Sequence, residues 1–171
     1  MTGESSVWKR FGVLIFLLFM ISACSSKTHA VPSGYHSYNM EKVSSAVEQL
    51  EFQPDLPEYI PVPMISVVSD IYQDEGTELM DLSFYTPDND LLTIQFSQEE
   101  IDTPWIDPEE LSILDNIDGF YEDNRFSKKL TWEKDGVTYL MTYRASVASE
   151  EGNEQSVTRQ QLVEVARSFH S

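Results

Sequence analysis

The dipeptide Asp135-Gly136 constrains this chain more than any other feature. A two-residue type I′ turn needs positive φ at both central positions, which Gly adopts freely and Asp tolerates, and its twist matches that of paired strands. The flanking runs both favour strand, so a hairpin follows with Trp132 facing Tyr139 and Leu130 facing Met141. Cross-strand aromatic pairs contribute roughly 0.2–1 kcal/mol each. Trp132 therefore reads as a residue of the fold.

Period-two alternation extends the sheet. Ile65, Val67 and Ile71 fall on one face of a first strand, with Ser66, Asp70 and Tyr72 on the other. Met80, Leu82 and Phe84 alternate with polar neighbours, as do Leu92, Ile94 and Phe96, and Pro87, Asp88, Asn89 and Asp90 supply the turn between them. These make a second hairpin with one buried face. Gly119 to Glu122 reads as a brief strand.

Helical spacing appears towards the two ends. Met40, Val43, Val47 and Leu50, with Ala46 beside them, predict a helix over 38–50 that Ser37 or Asn39 can cap. Thr158 and Gln161 form a capping box ahead of Leu162, Val163, Val165, Ala166 and Phe169, which predicts a helix at the C-terminus. Asp107 with Pro108 behind it suits the start of a short third helix reaching about Leu114. Pro54, Pro57, Pro61 and Pro63 exclude helix interiors and central strands from Phe52 to Pro63, leaving an extended segment whose apolar residues pack on the domain. The expected fold is α+β: an antiparallel β-sheet built from two hairpins, with an N-terminal and a C-terminal helix packed on it, in a single domain over 38–171.

Ahead of that domain, Lys9 and Arg10 precede an apolar run from Phe11 to Met20 that ends in small residues. This is the layout of a signal peptide over residues 1–23. The run falls short of the roughly 20 apolar residues that cross about 30 Å of hydrocarbon. Ile21, Ser22, Ala23 and Cys24 resemble the lipobox of bacterial lipoprotein precursors. That resemblance implies that Cys24 receives a diacylglycerol, that cleavage occurs before it, and that its new amine can take a further acyl chain such as palmitate. Two or three chains anchor stably where one binds marginally. Cys24 is the sole cysteine of the 171 residues, so no disulfide forms within the chain, and a lipid thioether gives the lone thiol a reason. Residues 24–37 are polar, contain Pro32 and Gly34, and read as a flexible tether.

Charge narrows the partners. Removing Lys9, Arg10 and Glu4 with the signal leaves 9 basic against 28 acidic residues, a mature net charge of −19. Such a balance opposes nucleic acid and anionic head groups. The lipid on Cys24 is then the expected link to the membrane, on its extracytoplasmic side.

Chemistry is sparse. His29 and His36 lie in the expected tether and His170 is next to last, so no Ser-His-Asp set can be assembled from the core, and there is no Gly-x-Ser-x-Gly elbow. Two histidines without a third ligand hold zinc poorly. Asp115, Asp118, Glu122 and Asp123 around Gly119 fall out of register with a calcium loop, since Gly119 at the sixth position puts Leu114 at the first. No catalytic residue, metal or cofactor is therefore expected. Trp105, in an irregular acidic stretch, is the better candidate for stacking on a ligand, and Tyr121 is a further candidate among exposed aromatics; closing one end of the core is the alternative role for Trp105.

Leu56, Pro57, Tyr59, Ile60 and Pro61, the hairpin motif Leu130-x-Trp132-x-x-Asp135-Gly136-x-x-Tyr139, and the end helix from Leu162 to Ser168 together resemble an uncharacterised family of bacterial exported domains. That family is found in lipoproteins and behind the membrane helix of anti-sigma-factor-like proteins. The resemblance implies a curved antiparallel sheet and a role in envelope sensing or protein contact. Only about ten residues precede the apolar run, so a cytoplasmic sigma-binding domain is not expected. The expected function is a lipid-anchored, non-enzymatic interaction or sensing domain with a protein partner in the envelope. The alternative is a module that binds cell-wall glycan or a small molecule through exposed aromatics.

Overall fold

The computed structural model describes residues 30–146 and 157–169. From Val31 onward they belong to one compact unit. The expected signal peptide, the lipobox with Cys24, His29 and His170 lie outside the described residues. Alternating apolar residues build seven strands: β1 (Ser66–Asp74), β2 (Thr77–Tyr85), β3 (Leu91–Ser97), β4 (Glu109–Leu114), β5 (Ile117–Asp123), β6 (Lys128–Lys134) and β7 (Val137–Arg144). They form one antiparallel sheet in the order β1-β2-β3-β7-β6-β5-β4. The fold is α+β, and the sheet is larger than two hairpins: a three-strand meander and a four-strand meander join where β3 pairs with β7.

Asp135 and Gly136 take φ of 52° and 77°. The turn is left-handed at both positions, and Trp132 pairs with Tyr139 and Leu130 with Met141, as the dipeptide dictates. The indole and phenol rings stack with centroids 5.0 Å apart. A second turn of the same kind, Glu75-Gly76 with φ of 50° and 95°, joins β1 to β2.

One sheet face carries the core. Met80, Leu82 and Phe84 of β2, Leu92, Ile94 and Phe96 of β3, and Met141 of β7 are sealed from solvent. Two helices contact the sheet: α1 (Met40–Val47) at β1, and α2 (Arg159–Ser168) at β4 and β6. Asn39 caps α1 by accepting from the Lys42 amide at 3.0 Å, and the Thr158–Gln161 capping box starts α2. Phe169, just after α2, meets Trp132 and Tyr139 edge-on at 5.2 and 5.4 Å. The proline-rich segment holds neither helix nor strand, apart from the single bridge of Ile60 to His36, and Phe52, Tyr59, Ile60 and Val62 are buried.

Four expectations need correction. Residues 109–114 are strand β4, where a short helix was expected. Leu111 and Ile113 turn to the core while Glu110 and Ser112 turn away, and pairing with β5 outweighs a helix too short to be stable alone. Pro108 is tolerated because β4 is an edge strand. Ile65 lies just before β1 and is exposed, its amide donating to Tyr85 O, so β1 begins one residue later than its alternation suggests. The expected tether gives way to the domain before Ser37: His36 exchanges backbone hydrogen bonds with Ile60, and the Tyr35 ring sits 4.9 Å from that of Tyr59. The fourth concerns Tyr121, described below with the site.

Candidate functional site

The second face of the sheet carries no helix among the described residues. It is crossed instead by a strap, the segment 98–108 that connects β3 to β4. Alternation sends Glu122 of β5 and Lys129 of β6 to this outer face, where they are cross-strand partners. Both are buried. Glu122 Oε2 accepts hydrogen bonds from the backbone amides of Ile106 and Asp107, and Oε1 accepts from Asn124 Nδ2 at 2.9 Å. Lys129 Nζ donates to the Pro104 carbonyl at 2.6 Å and stands 3.9 Å from Glu122 Oε1.

These contacts determine the ionisation of Glu122. The Ile106 amide has the largest effect and holds the carboxyl below its ordinary value, burial opposes it, and the Asp107 amide, the Lys129 charge and Asn124 add to the lowering. Hydrogen bonds to an ionised acceptor are about twice as strong as neutral ones. One buried carboxylate and one lysine thus pin the strap at Pro104, Ile106 and Asp107.

Trp105 lies between those pins. Its ring is half-buried, with Lys129 Nζ 5.2 Å from the centroid, and it also borders a cleft of about 550 Å³ between the strap and the outer face. The cleft is further lined by Ile101 and Thr103 of the strap, by Phe120, which is half-exposed, and by Thr131 and Thr138 of the sheet. Glu100, Asp118 and Glu133 border it too. Trp105 is therefore a wall of the cleft on the outer face and lies apart from the core cluster.

Tyr121 is elsewhere. It faces the core, is 7 % exposed, and its ring lies 5.3 Å from the Arg159 guanidinium. Burial pushes its phenol up to about 12, with Asp123 adding to the rise. The sequence offers both Trp105 and Tyr121 as exposed binding aromatics, but successive residues of a strand point to opposite faces and Tyr121 takes the core side. It is Phe120 that shares the cleft with Trp105.

Glu122, Lys129 and Phe120 were missed by reading the sequence. Their signal exists in the cross-strand register of β5 and β6, which sets Glu122 opposite Lys129. That register depends on the turn Asn124–Ser127, which has no diagnostic dipeptide. Its geometry comes from Asn124, whose Oδ1 accepts from the Phe126 and Ser127 amides, and from Arg125 at φ 71°.

Other polar clusters hold the fold. Asp90 is buried and accepts from Tyr143 Oη at 2.8 Å and the Ser146 amide at 2.7 Å, which ties the β2–β3 turn to the end of β7. A cavity of about 540 Å³ at the β4–β5 turn, bordered by Arg167, has no aromatic wall. No three His, Cys, Asp or Glu come together as a metal-binding group among the described residues. No helix among them is long and apolar enough to cross a membrane. No family model, curated protein or solved structure matches this chain.

Proposed function

We propose that this chain is a lipid-anchored binding domain of the bacterial envelope, held through Cys24 on the outer side of a membrane, where it engages a partner without catalysis. The observation that carries the reading is the cleft beneath the strap. An aromatic-walled concavity of several hundred Å³ with a few polar groups is the usual form of a recognition site. The strap that forms one wall is fixed by charge-assisted hydrogen bonds, so the cleft keeps its shape before any ligand arrives, and preorganisation lowers the cost of binding. The lipobox-like tetrad ending at Cys24 and the strongly acidic balance support an anchor made by lipid rather than by a basic surface. The resemblance to exported domains of lipoproteins and anti-sigma-factor-like proteins supports the same placement.

Two experiments test this. Metabolic labelling with a fatty-acid analogue should mark the wild-type protein and leave Cys24→Ala unlabelled and unprocessed; equal labelling would remove the anchor from the reading. A photo-crosslinking amino acid at position 120 in intact cells should give a discrete adduct that the same group at position 88, in the β2–β3 turn, does not give. Identical adducts from both positions would remove the cleft from it. The glycan or small-molecule alternative uses the same cleft through Trp105 and Phe120, and a crosslink to carbohydrate would favour it.

A further inference from the structure

The chemistry of the cleft narrows what it accepts. Glu100, Asp118 and Glu133 border it, and among the described residues no Lys, Arg or His lines it, the nearby Lys129 being buried and bonded to the Pro104 carbonyl. Acid is common in this chain, so its presence alone says little. The placement says more. Gly119 pairs with Trp132 across β5 and β6, and one step along that register sets Asp118 beside Glu133 on the outer face. Like charges in directly opposed positions destabilise a sheet. Neither residue makes an ion pair among the described residues, whereas elsewhere Glu109 meets Arg159 at 2.6 Å and Asp55 meets Lys134 at 3.2 Å.

A second cavity, of about 310 Å³, shares Glu100 and Ile101 with the first. Its other acidic neighbours are Asp74, Glu75, Glu99 and Asp102, it includes Tyr72, and again no basic side chain among the described residues borders it. Phe120 in one cavity and Tyr72 in the next offer exposed aromatic faces, while Trp105 adds a wall whose ring already carries the buried Lys129 ammonium. Cations bind such faces as well as carboxylates.

We propose that the two adjoining cavities form one acidic, aromatic-walled track for an extended basic segment of a partner polypeptide, whose Arg or Lys side chains enter them in turn. The inference rests on the binding reading given above and names its ligand class. Charge complementarity selects a cation, and the aromatic walls suit one carried on an apolar stem. Two cavities sharing a wall suit a chain whose side chains recur along its length better than a single small cation.

The test uses the full-length protein in nonionic detergent and a fluorescent peptide that alternates Arg with Ser, followed by anisotropy. The peptide should bind, and its analogue with citrulline in place of Arg should bind at least about tenfold more weakly. Combined Glu100→Gln, Asp118→Asn and Glu133→Gln should weaken the Arg peptide by about tenfold, since each exposed pair contributes modestly. A control with the same change in charge at exposed sites that line neither cavity, Glu41→Gln, Glu48→Gln and Asp88→Asn, should stay within about twofold, because solvent and salt screen exposed charges outside the track. Phe120→Ala should weaken binding at every salt concentration. Equal losses in both triple variants would reduce the effect to bulk charge and overturn the proposal. So would equal binding of the citrulline peptide, displacement by spermine below the peptide's own dissociation constant, or no binding at about millimolar peptide. A discrete crosslink from position 120 together with no Arg-peptide binding would overturn this inference while leaving the cleft as a binding site.

Discussion

The two faces of the sheet are held by different physics. On the core face, Phe84, Phe96, Leu130 and Met141 are sealed beneath the helices and the proline-rich segment, so cohesion there comes from apolar area removed from water. On the outer face the strap is held largely by Glu122 and Lys129, through three hydrogen bonds to Pro104, Ile106 and Asp107, with Asn124 of the β5–β6 turn donating to the other oxygen of Glu122. Area burial is spread over many residues, does not depend on pH, and fails globally. A polar clamp is concentrated in two side chains, depends on protonation, and fails locally. A recognition cleft beside the second kind of attachment can be altered without unfolding the domain.

The comparison breaks most sharply at Trp132. The residue is 3 % exposed, stacked on Tyr139 and met edge-on by Phe169. Trp132→Ala should cost about 3–5 kcal/mol through lost burial and a residual cavity, read as a lower urea midpoint in a single transition. A loss below about 1 kcal/mol would mean that the core face is not where the stability resides.

Gly119 comes next. A Cβ there would stand 2.5 Å from the Thr131 backbone oxygen and 3.0 Å from Ile113 Cδ1. Because the nearer atom is backbone, β5 and β6 must separate to accommodate it. Gly119→Ala should cost about 1–3 kcal/mol, in the range of overpacking. Its effect should reach both faces, since the same strands carry Glu122 and Lys129. Strap amide shifts unchanged from wild type in this variant would show that the faces are uncoupled.

A loss of about 1–3 kcal/mol is also expected for Glu122→Gln, confined to the strap. The amide removes the charge that Lys129 and two backbone amides share, and the NMR signals of Ile106 and Asp107 should shift while the core stays folded. Acid should mimic the substitution. Glu122 is held below its ordinary value near 4.5, so its stabilising contribution is complete above that value and is lost as pH falls through the lower folded one. The Ile106 and Asp107 amides should therefore move in acid in the wild type and stay still in Glu122→Gln. A global midpoint shift as large as that of Trp132→Ala, with unmoved strap amides, would erase the distinction between the faces.

The same distinction explains what could be read in the sequence. Core-face strands announce themselves because every second residue is apolar, and Asp135-Gly136 and Thr158–Gln161 are local signals whose geometry needs no distant partner. The β1–β2 turn uses Glu75-Gly76, where Glu has no special tolerance for the left-handed region, so it left no comparable mark. Strand β4 looks helical in sequence because Asp107-Pro108 is a good helix start, while its pairing with β5 is tertiary. The clamp was illegible for a similar reason: Glu122 and Lys129 are ordinary charges until the register of β5 and β6 places them together. Trp105 could be singled out by its surroundings, but its true neighbour, Phe120, could not.

Tyr121 supplies the smallest expected effect and the sharpest separation of the faces. It sits next to Phe120 in sequence and on the other side of the sheet, with its ring against Arg159 and no hydrogen bond from its hydroxyl among the described residues. Tyr121→Phe keeps the ring and removes only that hydroxyl, so stability near neutral pH should change by no more than about 0.5 kcal/mol. Arg-peptide binding should be unchanged. The difference should appear in alkali. A phenol raised from about 10 to about 12 by burial favours the neutral form in the folded state, so its contribution is complete below 10 and is lost as pH rises through 12. Spectrophotometric titration should therefore lose one late-ionising tyrosine in Tyr121→Phe. Weakened peptide binding in this variant would instead return Tyr121 to the cleft and contradict the placement of the two aromatics on opposite faces.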